Sequence, residues 1–329
     1  VNLSRFAGLN LRLLTVQTLA SFAFSFFPAS FAVSAEHPTL QSQIDKAAVL
    51  LEALPYLQEF RGATFLIKVG GSAMDDPERV RRLMRDIVFL EVVGVNPVLV
   101  HGGGKAISKA MSEAGLEATF VNGLRITTDK AMDLVERTLS SEINPRLAKM
   151  LEEFGGRVVG VSGRDILRAE RLSTKTADGE EVKLGRVGQV VDFDLAKIEA
   201  AIATETVPVI SPIALEVETG LSLNVNADLA AAALAGRLQA AKLVYLSDVL
   251  GVMQDPGDEG TLIPTIRSGE VDELISNGVL SGGMIPKVES AVDALHKGVG
   301  KVHMVDGRLA HSVLLEIFTR EGVGTEIVK

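Results

Sequence analysis

The chain has no cysteine. Disulfides, thiolate zinc sites and a cysteine nucleophile are therefore excluded. Histidine is scarce, with only His37, His101, His296, His303 and His311. None stands in H-E-x-x-H or a similar ligand pair, so no resident metal is expected. Dense Lys/Arg blocks are missing too. At a net charge of −9 the chain lacks the basic face of a duplex nucleic-acid binder. A few converging cations can still hold an anionic substrate. No serine sits in G-x-S-x-G, and no histidine is placed to activate one. Neither G-x-G-x-x-G with a downstream acid nor G-x-x-x-x-G-K-[ST] occurs, which removes support for a dinucleotide dehydrogenase or a P-loop enzyme.

Acidic residues are absent from the first 35 positions. There Arg5 and Arg12 precede an apolar run from Leu13 to Phe27, and Val33-Ser34-Ala35 resembles a small-residue cleavage site. The segment reads as a secretory or organellar targeting peptide, or as a start placed too early, since the first residue is valine. It is short and Ser/Thr-interrupted for a membrane span, so no membrane partner is expected.

What is present is a large apolar content, 47% of 329 residues, enough for a substantial core and, as a soft prior, about two domains. An amphipathic helix begins near residue 43, with Ile44, Ala47, Leu51, Leu54 and Leu57 at spacings of three or four. Pro55 should kink it, and it ends near Arg61-Gly62. Apolar, β-rich runs follow at 64–69, 97–101, 157–161, 207–211, 242–247 and 302–305. Helical patterns separate most of them, at 77–93, 127–154, 228–236 and 287–298. One stripe of the second pattern carries Met132, Val135, Leu139, Ile143 and Leu147. Polar residues 164–194 read as a β-hairpin region. Such alternation predicts a mainly parallel sheet covered on both faces, with a boundary near Gly236.

Ligands of α/β sheets bind beyond the carboxyl ends of the strands. The first strand ends in Lys68-Val69-Gly70-Gly71, the second in His101-Gly102-Gly103-Gly104, and the strand at 242–247 runs into Ser247-Asp248-Val249-Leu250-Gly251. Ser281-Gly282-Gly283-Met284-Ile285-Pro286-Lys287 opens a helix near Pro286. Glycines let backbone N–H groups approach an anion, and a helix N-terminus adds partial positive charge. Lys68 is a snorkelling edge lysine or a cation aimed into the crevice. Lys287 lies in a first helical turn, where the dipole opposes a cation unless an anion is bound. Asn224, Asn226 and Asp228 project from one face of an extended segment, and Asp228 would otherwise be a helix cap. Arg125 is a carboxylate clamp or a surface arginine. With no nucleophile–base pair, the set suits phosphoryl transfer between two bound substrates, which needs positioning and charge neutralisation.

KVGGSAM, VLVHGGGKAIS, FVNGLRITTDKAMDLVERTL, LNVNADLAAAALA, SDVLGV, SGGMIPKV and HSVLLEIFTREGVGTEIV occur in this order between residues 41 and 329. Together they resemble the acetylglutamate kinases of the amino acid kinase superfamily. The resemblance implies a three-layer αβα sandwich with a central, mainly parallel open sheet. It implies transfer of the ATP γ-phosphoryl group, as a Mg²⁺ complex, to the γ-carboxylate of N-acetyl-L-glutamate in arginine biosynthesis, with no tightly bound cofactor. It implies an N-terminal oligomerisation helix at 41–61, an amino-acid lobe at 62–236 and a nucleotide lobe at 237–329.

Carried over residue by residue, Lys68 and Lys287 flank the transferring group and Asp228 orients both. Gly103, Gly104, Arg125, Asn224 and Asn226 hold acetylglutamate. Gly70, Gly71, Ser247, Asp248, Gly251, Ser281, Gly282, Gly283 and Met284 serve the nucleotide. Residues Tyr56, His311, Glu316 and Gly324 match an L-arginine effector site, in relatives whose N-terminal helices interlace to form a hexamer, a trimer of dimers. A PII-type signalling protein is a candidate partner. The implied location is cytoplasmic, or a plastid if the first 35 residues are a transit peptide. One departure is Ser247, where the family motif has threonine. The rival readings are another acyl-phosphate-forming amino acid kinase, for glutamate or aspartate, and a non-catalytic nucleotide-binding regulator.

Overall fold

Apolar runs rich in β-branched residues become strands buried on both faces. The computed structural model describes residues 39–175, 179 and 181–329. The targeting-like segment 1–35 lies outside these residues. Strands β1 (Thr64–Val69), β2 (Asn96–His101), β3 (Phe120–Val121), β4 (Leu124–Arg125) and β5 (Val158–Ser162) come first. They are followed by β6 (Leu167–Lys175), β7 (Glu181–Phe193), β8 (Val207–Ser211), β9 (Ile213–Glu216) and β10 (Ser222–Val225). β11 (Lys242–Ser247), β12 (Thr265–Arg267), β13 (Lys301–Asp306) and β14 (Thr325–Val328) complete the set. Eight of them form one sheet in the order β12-β14-β13-β11-β1-β2-β8-β5. Every pairing is parallel except β13 with β14. The hairpin expected at 164–194 is β6 against β7, and with β9 and β10 it closes into a small barrel.

Side-chain alternation along each strand sorts residues onto the two faces. On β1, Leu66 enters the core formed with helices 227–237 and 284–296, whereas Phe65, Ile67 and Val69 enter the core formed with helices 77–92 and 144–153. A helical layer thus covers each face, making the three-layer sandwich. Parity fixes two polar residues as well. Lys68 shares its face with Leu66, toward helix 227–237, and His101 shares its face with Leu99, toward helix 144–153.

Two helices differ from expectation. The helix predicted over 127–154 is α-helical at Asp129–Glu136 and Asn144–Glu153, with a π-helical segment at Arg137–Ile143 between them. Pro145 explains the interruption: it has no N–H to give to the carbonyl four residues earlier, and its ring would clash there. The stripe from Met132 to Leu147 is still buried throughout. The helix expected to begin near Pro286 spans Met284–His296, so Pro286 sits in the first turn, where its missing N–H is not needed.

Residues 52–329 form one compact unit, and residues 39–51 belong to another. The helix Leu40–Phe60 continues through Pro55. Its Leu40, Ile44, Val49, Leu50, Leu51 and Leu54 are all exposed. Among the described residues no helix is long and apolar enough to cross a membrane.

Candidate active site

Because β1, β2 and β11 run parallel, Val69, His101 and Leu246 end on one edge of the sheet. A cavity of about 190 Å³ opens there. Lys68, the glycines at 70, 71 and 102–104, Arg125, Asn224, Asn226 and Asp228 all border it. Among the described residues no serine, threonine, cysteine or histidine lines it.

The Lys68 ammonium lies 2.7 Å from Asp228 Oδ1, and both side chains are largely buried. Asp228 Oδ1 has no hydrogen-bond partner otherwise among the described residues. The lysine reaches this position by folding over Gly70, where a Cβ would come within 2.5 Å of Nζ. Asp228 is free to pair because it is not the helix cap. Asn226 is: its Oδ1 accepts from the N–H groups of Asp228 at 2.8 Å and Leu229 at 3.2 Å. The NVNAD segment therefore divides two tasks that either residue could have taken.

The second glycine loop leads into helix Gly104–Glu113, whose N-cap Gly103 offers no side-chain acceptor. The N–H groups of Gly103 and Gly104 have no hydrogen-bond partner among the described residues. Two free donors and a helix dipole at a cavity wall make an anion site. Glycine at 103 fits tight packing: a Cβ would lie 2.6 Å from a Leu139 methyl and 2.7 Å from an Ile143 methyl, both buried on the π segment, so these side chains would have to shift. At 104 a Cβ would meet nothing.

Arg125 is 7% exposed and has no carboxylate within 4.0 Å among the described residues. Instead its guanidinium donates to Gly104 O and Ser108 Oγ, each at 2.8 Å, and lies 4.5 Å from the Phe120 ring centroid. Burial pulls its pKa below the ordinary value, with no anion among the described residues to offset that pull. A buried, uncompensated guanidinium fits a site awaiting an anionic ligand. Asn224 Nδ2 donates to Thr127 Oγ1 at 3.1 Å, and Thr127 Oγ1 donates to Arg125 O at 3.1 Å, so the three are mutually fixed.

The remaining predicted residues lie elsewhere on the chain. Lys287 is half-buried at the start of helix 284–296 and borders none of this cavity. Two side-chain hydroxyls do connect the two helices: Tyr245 Oη lies 3.3 Å from Asp228 O and 3.1 Å from Ser290 Oγ, which donates to Lys287 O at 2.8 Å. Ser247 is buried and Asp248 exposed. Gly251 has a packing role, since a Cβ would strike Thr325 Oγ1 at 2.4 Å. Ser281, Gly282 and Gly283 are exposed and Met284 half-buried. Lys105 pairs with Asp75 rather than with Asp228. Sequence reasoning missed Phe120 and Thr127. Thr127 stands two residues after Arg125, and that spacing was the available signal.

A second cavity, of about 670 Å³, includes Tyr56, Lys242, His303, Glu316, Gly322 and Glu326. Of the four predicted effector residues it gathers Tyr56 and Glu316. His303 and Gly322, not singled out from sequence, stand in its wall, whereas His311 pairs with buried Asp86 at 2.7 Å and lines a different recess. Gly324 does not line the cavity, but its N–H donates to Glu316 Oε2 at 2.9 Å. Burial opposes ionisation of Glu316, but His303 at 2.6 Å and the N–H groups of Val323 and Gly324 outweigh it and hold the carboxyl below its usual pKa.

A lysine–aspartate pair and free N–H donors at the carboxyl edge of a parallel sheet, with no hydroxyl, thiol or imidazole lining the cavity among the described residues, suit transfer of an anionic group between bound substrates. The chain belongs to the amino acid kinase family, whose model matches residues 63–306. It is 56% identical over 286 residues to acetylglutamate kinase from Akkermansia muciniphila, covering 87% of this chain and 96% of the relative. Among solved structures it is similar to N-acetylglutamate synthase from Neisseria gonorrhoeae complexed with coenzyme A and N-acetyl-glutamate, at 26% identity and a TM-score of 0.75. The same synthase complexed with coenzyme A and L-arginine gives 27% identity and 0.72. Both alignments take in 86% of this chain but only 63% and 65% of the synthase chains.

Proposed function

We propose that the chain transfers the γ-phosphoryl group of ATP, as its Mg²⁺ complex, to the γ-carboxylate of N-acetyl-L-glutamate, giving N-acetyl-L-glutamyl 5-phosphate and ADP. The observation that carries this reading is buried Arg125, without a carboxylate partner among the described residues, in the same cavity as the Lys68–Asp228 pair and the N–H groups of Gly103 and Gly104, unpaired among those residues too. A dicarboxylic acceptor meets both needs. One carboxylate neutralises Arg125, with Asn224 beside it, and the other reaches the glycine loop. That second carboxylate is already ionised at pH 7, so it attacks phosphorus in line without a general base. Negative charge growing on the equatorial oxygens is taken up by Lys68 and the N–H donors. Asp228 holds the lysine over Gly70. The relatives named acetylglutamate kinase support the acetylated acceptor.

Formation of an acyl phosphate is checked by trapping. Incubation with ATP, Mg²⁺, acetylglutamate and hydroxylamine is expected to yield the γ-hydroxamate in step with ADP. ADP release without hydroxamate would mean that phosphate goes to water or to another group.

The second cavity favours a further reading, that L-arginine binds there as an effector. Its wall carries the carboxylates of Glu59, Glu316, Glu321 and Glu326 beside the cations of Lys242, Lys301 and Arg320, a mixed lining suited to the guanidinium and the carboxylate of one amino acid, and the synthase structure holding L-arginine is similar over 86% of this chain. Tyr56→Ala is expected to raise the arginine IC50 at least several-fold while uninhibited kcat stays within about twofold. An unchanged IC50 removes Tyr56 from the effector site.

A further inference from the structure

His101 lies at the base of the glycine loop, buried completely, and the reaction described above makes no use of it. Its Nδ1 is 2.9 Å from the carbonyl oxygen of Gly102. A carbonyl only accepts, so Nδ1 carries the proton. Burial lowers the pKa of the ring to about 4, which leaves it neutral near pH 7, with Nε2 as an acceptor. Asn144 Nδ2 faces that Nε2 at 3.3 Å and also donates to Val209 O at 2.7 Å. The second bond fixes which way the amide points, and Asn144 Oδ1 occupies the space over Gly160, where a Cβ would come within 2.5 Å. Imidazole tautomer and amide orientation are thus each set by a neighbour.

The consequence falls on the peptide between Gly102 and Gly103. In a trans peptide C=O and N–H point in opposite directions. With Gly102 O turned to the buried imidazole, the Gly103 N–H is turned away from it, and Gly103 borders the reaction cavity. That N–H is one of the two free donors at the anion site. The loop is held on its other sides by Gly102 N–H donating to Val69 O at 2.7 Å and by Leu139 and Ile143 packed on Gly103. Leu139 and Ile143 belong to the π segment and Asn144 follows it directly. The segment thus brings two packing contacts and one polar contact to bear on a single peptide.

We propose that His101, braced by Asn144, is a positioning residue that sets the Gly102–Gly103 peptide so that the Gly103 N–H donates to the transferring phosphoryl group, where it meets the attacking carboxylate. This rests on the acyl-phosphate reading given above. It predicts an effect on kcat more than on KM, because a donor aimed at the transition state is misdirected while the binding groups stay in place.

The test compares full-chain His101→Leu and His101→Asn with the wild type, each checked for an unchanged Tm within a few degrees. Asparagine can put an N–H donor near the place of Nδ1 and leucine cannot. His101→Leu is expected to lower kcat about 10- to 100-fold with the KM for ATP within about twofold, and His101→Asn to recover most of that loss. Should the leucine variant fail to fold, Asn144→Ala is measured instead and is expected to lower kcat in the same direction. Equal kcat in the leucine variant and the wild type overturns the proposal, as does an asparagine variant no better than leucine. Crystal structures of the variants read the peptide whatever the acceptor is: a Gly102 carbonyl turned out of the core in His101→Leu and retained in His101→Asn supports the role, and one unmoved in His101→Leu overturns it. A wild-type protein that leaves acetylglutamate unphosphorylated rejects the acceptor assignment and leaves this structural comparison intact.

Discussion

Lys68→Ala is expected to lower kcat by about three orders of magnitude, equivalent to about 4 kcal/mol of transition-state stabilisation. The ammonium sits 2.7 Å from Asp228 with both side chains largely buried, where its field is less screened than at the surface. Charge on the equatorial oxygens is greatest at the transition state, so the lysine contributes there more than to substrate binding. KM values for both substrates should therefore move by less than about threefold. The substitution also leaves Asp228 Oδ1 buried without its cation, so Tm has to be followed alongside kcat. A folded Lys68→Ala enzyme with wild-type turnover would remove Lys68 from the chemistry.

Arg125→Leu should act on the other side of the ledger between binding and turnover. Its guanidinium is buried and fixed by Gly104 O and Ser108 Oγ before any ligand arrives, so it is preorganised for a carboxylate. Losing a charge-assisted pair there is expected to raise the KM for acetylglutamate about 100-fold, or about 2.7 kcal/mol, while the KM for ATP stays near its wild-type value. Arg125→Lys should recover little, because an ammonium lacks the planar fork and would not stack on Phe120 as the guanidinium does. A KM for acetylglutamate within threefold of wild type in Arg125→Leu would show that the anion binds elsewhere.

Much of the scaffold was legible because its signals are local. Runs such as TFLIKV and KLVYLS are apolar on both faces, the signature of a covered parallel strand, and both are strands over the expected residues. Parity then places Lys68 toward helix 227–237, but that helix must first be known to lie on the Leu66 face. The π segment was less legible, since its buried stripe has the spacing of an ordinary helix and only Pro145 marks the interruption. NVNAD offered two caps for one helix, and the choice of Asn226 depends on Lys68 claiming Asp228 from 160 residues away. The second cavity shows the limit most clearly. His303 and His311 occur in similar apolar surroundings in sequence, yet one pairs with Glu316 and the other with Asp86, 225 residues distant. Nothing in the spacing distinguishes them.

Acceptor choice is the most direct test of the account. ADP release by the wild-type chain is measured with ATP and Mg²⁺ against N-acetyl-L-glutamate, L-glutamate and L-aspartate under the same conditions. The account predicts that acetylglutamate gives the highest kcat/KM of the three, by at least about 100-fold. A higher kcat/KM for unacetylated glutamate or for aspartate would contradict it.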